Sequence, residues 1–125
     1  MTIVELFKLL SDANRLRILN LLYANELCVC ELEYLLDISQ SNLSKHLRLM
    51  SDAGLLESRR ENKFAYYRMK EEVIKEHDFL KNIFEMELKK EAYLREELDK
   101  LGKYQKSDIS CQNITALICA KTTGR

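Results

Sequence analysis

The 125-residue sequence contains no proline and only three glycines. Proline-rich spacers and glycine-rich linkers are therefore excluded, and no low-complexity tract appears before about the last twenty residues. No apolar run approaches the roughly 18 residues needed to cross a bilayer. Residues 1–10 carry Glu5 and Lys8 in a short amphipathic pattern rather than a basic head and an apolar stretch, so no signal peptide and no membrane association are expected. There is no glycine-rich phosphate loop, no Ser/His/Asp set and no Cys-x-x-Cys pair on a βαβ frame, which leaves enzymatic readings without support. A pure protein-interaction scaffold remains as a non-enzymatic alternative.

What is present fits one globular domain with a modest core: 46% hydrophobic and 32% charged residues over this length. The expected compartment is the cytoplasm, where the four cysteines stay reduced and point to metal binding or redox chemistry rather than a disulfide framework. The formal net charge is zero, yet the charges are segregated. Residues 1–37 hold three Lys/Arg against six Asp/Glu, residues 38–69 six against three, and residues 70–101 seven against ten. A basic middle between acidic flanks is a local electrostatic footprint of the kind that meets nucleic acid.

Helical periodicity dominates the first half. Leu6, Leu9 and Leu10 mark a short first helix. Ser11 or Asp12 caps a second through Leu16, Ile18, Leu19 and Leu22. A third begins between Glu26 and Cys30 and runs through Leu32, Leu35 and Leu36. Asp37-Ile38-Ser39 reads as a tight turn, with Ser39 capping a fourth helix through Leu43, Leu47 and Met50 that Gly54 closes. Alternation then predicts two strands over residues 55–60 and 64–69, joined where Asn62 can take positive φ.

Residues 71–101 return to a helical stripe of Val73, Leu80, Phe84, Leu88, Leu94, Leu98 and Leu101. Unbroken, this helix would be about 45 Å long at about 1.5 Å per residue. That is too long for one small domain to cover, so burial against a second copy is expected, with folding back as two helices or a solvated arm as the alternatives. Gly102 is expected to end it. The resulting division is a domain over residues 1–101 and a weakly patterned tail, 102–125, carrying Cys111 and Cys119.

Two helices around a tight turn, followed by a hairpin, predict a mainly α winged helix-turn-helix with a small β-hairpin wing. The fourth helix shows Gln40, Ser41, Asn42, Ser44, Lys45 and Arg48 on its polar face. Gln and Asn suit adenine edges, while Ser and Lys suit phosphate or guanine. Arg59, Arg60 and Lys63 on the hairpin can meet flanking backbone or minor groove. His46 is a further candidate for a phosphate contact, or else a packed or capping residue.

Ser11-Asp12-Ala13-Asn14-Arg15-Leu16-Arg17-Ile18-Leu19, Glu26-Leu27-Cys28-Val29-Cys30-Glu31-Leu32, Ser39-Gln40-Ser41-Asn42-Leu43-Ser44-Lys45-His46-Leu47 and Gly54-Leu55-Leu56 closely resemble the ArsR/SmtB family of metal-sensing winged-helix repressors. The resemblance covers roughly residues 3–100. It implies a homodimer, formed through the first and the long C-terminal helices, that binds double-stranded operator DNA of imperfect palindromic sequence and lets go when an ion binds its cysteines. The cysteine run is similar to the arsenic-sensing and the cadmium/lead-sensing branches.

Residues two apart on an α-helix diverge by about 200°, so Cys28 and Cys30 cannot clasp one ion from within a regular helix. Either they occupy an irregular first turn, or the turn unwinds as the ion arrives, tilting the helix over residues 40–53 with it. A helix N-terminus favours the thiolate in either case. The plain alternative is that both are small buried hydrophobes. Trivalent arsenic or antimony takes three sulfurs, and cadmium, lead or zinc take up to four ligands, soft sulfur being favoured by all but zinc. Arsenic sensors of the family often carry a third cysteine three residues after the second, where this chain has Glu33; cadmium/lead relatives draw on an N-terminal arm, and residues 1–27 hold no cysteine. Cys111 and Cys119 are the remaining candidates for a third thiolate. His77-Asp78 is similar to the start of the family's dimer-helix zinc site, but Leu88 and Glu91 stand eleven and fourteen residues on from His77, so a zinc/cobalt sensor is not expected. The effector is thus expected to be arsenite or antimonite, with cadmium, lead or a redox signal at the same thiols as the alternative.

Overall fold

The computed structural model describes residues 1–110, 113 and 114; Cys111 and Cys119 lie outside the described residues. The first helix, α1 (Ile3–Leu10), opens with a capping box between Thr2 and Glu5. The second, α2 (Ala13–Leu22), is capped by Asp12, whose carboxylate accepts from the Arg15 backbone N–H at 3.0 Å. Ser11 instead closes α1, its hydroxyl donating to the Lys8 carbonyl at 2.7 Å.

The third helix, α3 (Val29–Leu36), is preceded by a two-residue strand, β1 (Leu27–Cys28). The helix thus begins within the expected Glu26 to Cys30 window, and the short strand ahead of it is the unexpected element. β1 pairs antiparallel with the hairpin's second strand, Leu27 opposite Tyr67 and Cys28 opposite Tyr66. The wing therefore has three strands: β1, then β3 (Phe64–Met69), then β2 (Leu56–Glu61) at the far edge. Asn62 turns the hairpin with φ 57°. Between α3 and α4 (Gln40–Asp52) the chain reverses at Asp37, φ 56° and ψ 38°, and Ser39 accepts from the Asn42 N–H at 3.3 Å. Gly54, with φ 88°, follows the last turn of α4. Leu19, Leu21, Leu22, Leu32, Leu43, Leu47, Met50 and Leu55 form the centre of one core.

The continuous helix expected over residues 71–101 is broken twice. The backbone is extended at His77 (φ −126°, ψ 90°) and at Glu91 (φ −94°, ψ 121°). Between and around these breaks lie α5 (Glu71–Glu76), α6 (Asp78–Asn82), a π-turn (Ile83–Glu87), a 3-10 turn (Leu88–Lys90) and α7 (Ala92–Gln105). Gly102, expected as the terminator, lies inside α7. The apolar stripe is nonetheless used: Val73, Leu80, Phe84, Leu88, Leu94 and Leu101 are buried and Leu98 partly so, but each fragment finds cover within its own chain. α7 returns onto α2 and α3, through Asn20 to the Leu94 carbonyl, Arg17 to Glu97 (2.6 Å) and Lys100 to the Tyr34 carbonyl (3.0 Å). Folding back, the alternative to one long rod, is what the chain does.

The Asp12 carboxyl is held below its ordinary 3.8, first by the Arg15 backbone N–H, and also by the charges of Arg15 and His46, against a smaller opposing effect of burial. A lowered folded pKa gives stability that is complete above the unfolded value and lost as pH falls through the folded one. Replacing this cap with Asp12→Ala is expected to destabilise the protein by about 1 kcal/mol. Urea denaturation at pH 7 and again below pH 3 should show the difference between variant and parent shrinking in acid.

Candidate DNA interface and thiol site

α4 presents Gln40, Ser41, Asn42, Ser44, Lys45 and Arg48 to solvent, while Leu43, Leu47 and Met50 anchor it in the core. His46 is half-buried, unlike the exposed Lys45 beside it, and its charge contributes to lowering the pKa of Asp12. On the wing the three basic candidates differ. The Arg59 guanidinium is held by Glu26 at 2.6 Å and Glu61 at 3.1 Å, sits 4.9 Å from the Tyr66 ring centre, and has its pKa raised by the bonds to Glu26 and then Glu61. Arg60 and Lys63 are exposed and form no ion pair among the described residues; the Lys63 ammonium rests 5.7 Å from the Phe64 ring. Arg68 is paired with Glu57 at 2.5 Å. An open cleft of about 450 Å³ is lined by Glu26, Glu57, Ser58, Arg59 and Arg68, and by neither cysteine.

The thiol pair sits where β1 meets α3. Cys28 is the N-cap of α3, in extended conformation (φ −89°, ψ 168°) and 1% exposed. Cys30, two residues on, is half-buried. Cys28 thus stands outside the regular helix while Cys30 is the second residue within it, so the 200° divergence of two helical positions does not describe the pair.

A reciprocal capping box holds this corner. The Cys28 backbone N–H donates to Glu31 Oε1 at 2.9 Å, and the Glu31 backbone N–H faces the Cys28 sulfur. The other carboxylate oxygen of Glu31 accepts from the hydroxyl of Tyr104 on α7. Glu31 and Tyr104 are both buried, and the Tyr104 ring tilts against Tyr34 at 5.9 Å. Sequence reasoning missed both residues. Cys28-x-x-Glu31 is a capping-box spacing with sulfur in place of a hydroxyl and was there to be read; nothing in the sequence pointed to Tyr104.

The donor set supplies two sulfurs, and among the described residues no three His, Cys, Asp or Glu side chains converge as a metal cage. Tyr104, seven residues before Cys111, places the end of α7 against the first turn of α3. The same corner touches both the wing and, through α3, the start of α4. β1 is hydrogen-bonded to the wing, Glu26 just before it holds Arg59, and α3 leads into α4 through three residues.

A polar helix projecting from a two-helix corner beside a basic hairpin makes this a winged helix-turn-helix protein. Residues 12–58 match the family described as bacterial regulatory protein, arsR family. The arsenical resistance operon repressor of Staphylococcus aureus is 33% identical over 78 residues, which is 62% of this chain and 73% of that protein. The Escherichia coli K12 protein of the same name is 46% identical over 67 residues, 53% of this chain and 57% of that one. The cadmium resistance transcriptional regulatory protein CadC of Listeria innocua is 40% identical over 65 residues, 51% of this chain and 55% of that protein. Among solved structures, HlyU from Vibrio cholerae N16961 superposes with a TM-score of 0.57 at 36% identity, over 65% of this chain and 89% of that one. Mb0332 from Mycobacterium bovis, described as a homodimeric winged helix-turn-helix DNA-binding domain, gives 0.58 at 26% identity, over 72% and 84%. The chain belongs to the arsR family of bacterial regulatory proteins. It spans little more than half the length of the Escherichia coli and Listeria relatives.

The unequal burial of the two thiols has a direct readout. In the native, ion-free protein Cys30 is expected to alkylate at least about tenfold faster than Cys28, followed peptide by peptide by mass spectrometry. Equal rates would show that Cys28 is not closed in solution.

Proposed function

We propose that this protein is a repressor that binds operator DNA as a homodimer and is released when trivalent arsenic or antimony is taken up by Cys28, Cys30 and one tail cysteine, Cys111 or Cys119. The observation that carries this reading is the place of Cys28 at the joint between the wing sheet and α3. To share an ion with Cys30, Cys28 must leave its buried cap position. β1 then moves with it and disturbs the wing, while α3 disturbs α4. Trivalent arsenic supplies a demand for three thiolates, and a chain with two thiols at this corner and two more in its tail can meet it.

On DNA, Gln40 and Asn42 read base edges, and Ser41, Ser44, Lys45 and Arg48 hold phosphates. Arg60 and Lys63 on the wing meet the flanking backbone, with His46 as a further phosphate contact and Arg59 joining once freed from Glu26 and Glu61. The second copy is expected on the outer face of α1. Ile3, Val4 and Phe7 there are 46–59% exposed, and Phe7 stacks on Phe79 of α6 at 5.4 Å. Residues 1–101 carry DNA binding and dimerisation, and residues 102–125 contribute the additional sulfur. No helix among the described residues is long and apolar enough to cross a membrane, and the thiol chemistry suits the reducing cytoplasm. A cadmium/lead- or redox-responsive repressor using the same thiols is the second reading, favoured by the 40% identity to the cadmium regulator.

Titrating the protein–operator complex with arsenite, cadmium and peroxide, read by fluorescence anisotropy, separates these readings; no release by arsenite rejects the first. Cys28→Ser and Cys30→Ser are expected to keep operator affinity and lose ion-induced release, since serine is itself a good N-cap. Lys45→Ala should weaken binding to every sequence and lower the salt slope by about one, whereas Gln40→Ala or Asn42→Ala should relax preference at particular bases by roughly 1–3 kcal/mol.

A further inference from the structure

The Cys28 sulfur is shut away at 1% exposure although its neighbour Cys30 is half open, and the side chain that fastens the Cys28 backbone, beside the β1–β3 pairing, is Glu31. Glu31 is a buried carboxylate, 8% exposed, on the first turn of α3. Its two oxygens are divided between two elements: Oε1 takes the Cys28 N–H and Oε2 takes the Tyr104 hydroxyl from α7, some seventy residues along the chain. A buried carboxylate that loses a donor gains free energy by turning out to water. Tyr104 is what makes the inward position of Glu31 favourable, and Glu31 in turn holds Cys28 extended against the end of β1.

We propose that Tyr104 is a positioning residue for the thiol site: through Glu31 its hydroxyl latches Cys28 in the closed position, so any ligand that joins Cys28 to Cys30 must work against this contact. The ring has its own anchorage, packed among core residues and against Tyr34, so the hydroxyl can be removed without removing the packing. By linkage, an interaction made in the closed state and lost in the open one sets the affinity of whatever binds the open one. Its consequence for gene control rests on the proposed function; its existence does not.

The test is Tyr104→Phe in the full-length, ion-free protein, with iodoacetamide as the thiol probe and each cysteine followed by mass spectrometry. The Cys28 rate is expected to rise about tenfold, the weight of one charge-assisted hydrogen bond, while Cys30 changes little. Leu101→Ala, a cavity in the same helix, controls for general loosening, which accelerates both cysteines in parallel. An unchanged Cys28 rate in Tyr104→Phe, or a parallel rise in both thiols, overturns the latch. In the operator complex the same variant should be released at about tenfold lower arsenite, by the same arithmetic. If arsenite releases neither protein while the Cys28 rate rises alone, the latch stands and the proposed effector falls.

Discussion

The pairing of Leu27 and Cys28 with Tyr67 and Tyr66 is the constraint on which the arrangement of this protein depends. It is only two residues long, too short to be stable alone, and it holds because β3 is already paired to β2 along six residues. Its ending coincides with the beginning of α3, so Cys28 belongs to a strand by its backbone and to a helix by its cap. Neither element can shift without carrying the other. A displacement at this residue reaches the wing through hydrogen bonds and α4 through the body of α3.

A second interaction gives that displacement something to act against. Arg17, on α2, donates to Glu97 of α7, to the Leu36 carbonyl at the end of α3 and to Asn14 on its own helix. One partly buried guanidinium thus ties three helices at the end of α3 opposite the cysteines. Charge-assisted bonds of this kind are roughly twice as strong as neutral ones, and a half-buried carboxylate such as Glu97 would be costly without its cation. α3 is accordingly pinned at its C-terminus and, through Glu31, fastened at its N-terminus. The two ends differ in kind: the first is a guanidinium bond to a backbone carbonyl, backed by an ion pair to α7, and the second a cap that includes a buried thiol.

Most of the fold was legible in local pattern. The leucine spacing of the first four helices, Ser39 as a cap, Gly54 as a stop and Asn62 as a turn all depend on neighbours a few residues away, and all hold in the structure. What was hidden depends on partners distant in sequence. β1 is too short to show alternation and exists only because β3 is beside it. The breaks at His77 and Glu91 interrupt a stripe whose apolar spacing is intact, because fragments that fold back bury the same residues as a continuous rod would. They fall outside residues 12–58, where the chain matches its family. The exposed face of α4 was readable from its polar residues, but the engagement of Arg59 by Glu26, and of Glu31 by Tyr104, could not be inferred from charge or spacing alone.

Asp37, the left-handed residue between α3 and α4, has one further consequence. A residue bearing a Cβ cannot pass gradually from φ 56° to negative φ, because the intervening region is sterically closed. At this residue the turn between α3 and α4 is therefore held by a discrete choice of backbone well rather than by a soft spring. To that extent the junction behaves at Asp37 as a detent, holding one backbone well until a strain large enough to leave it arrives.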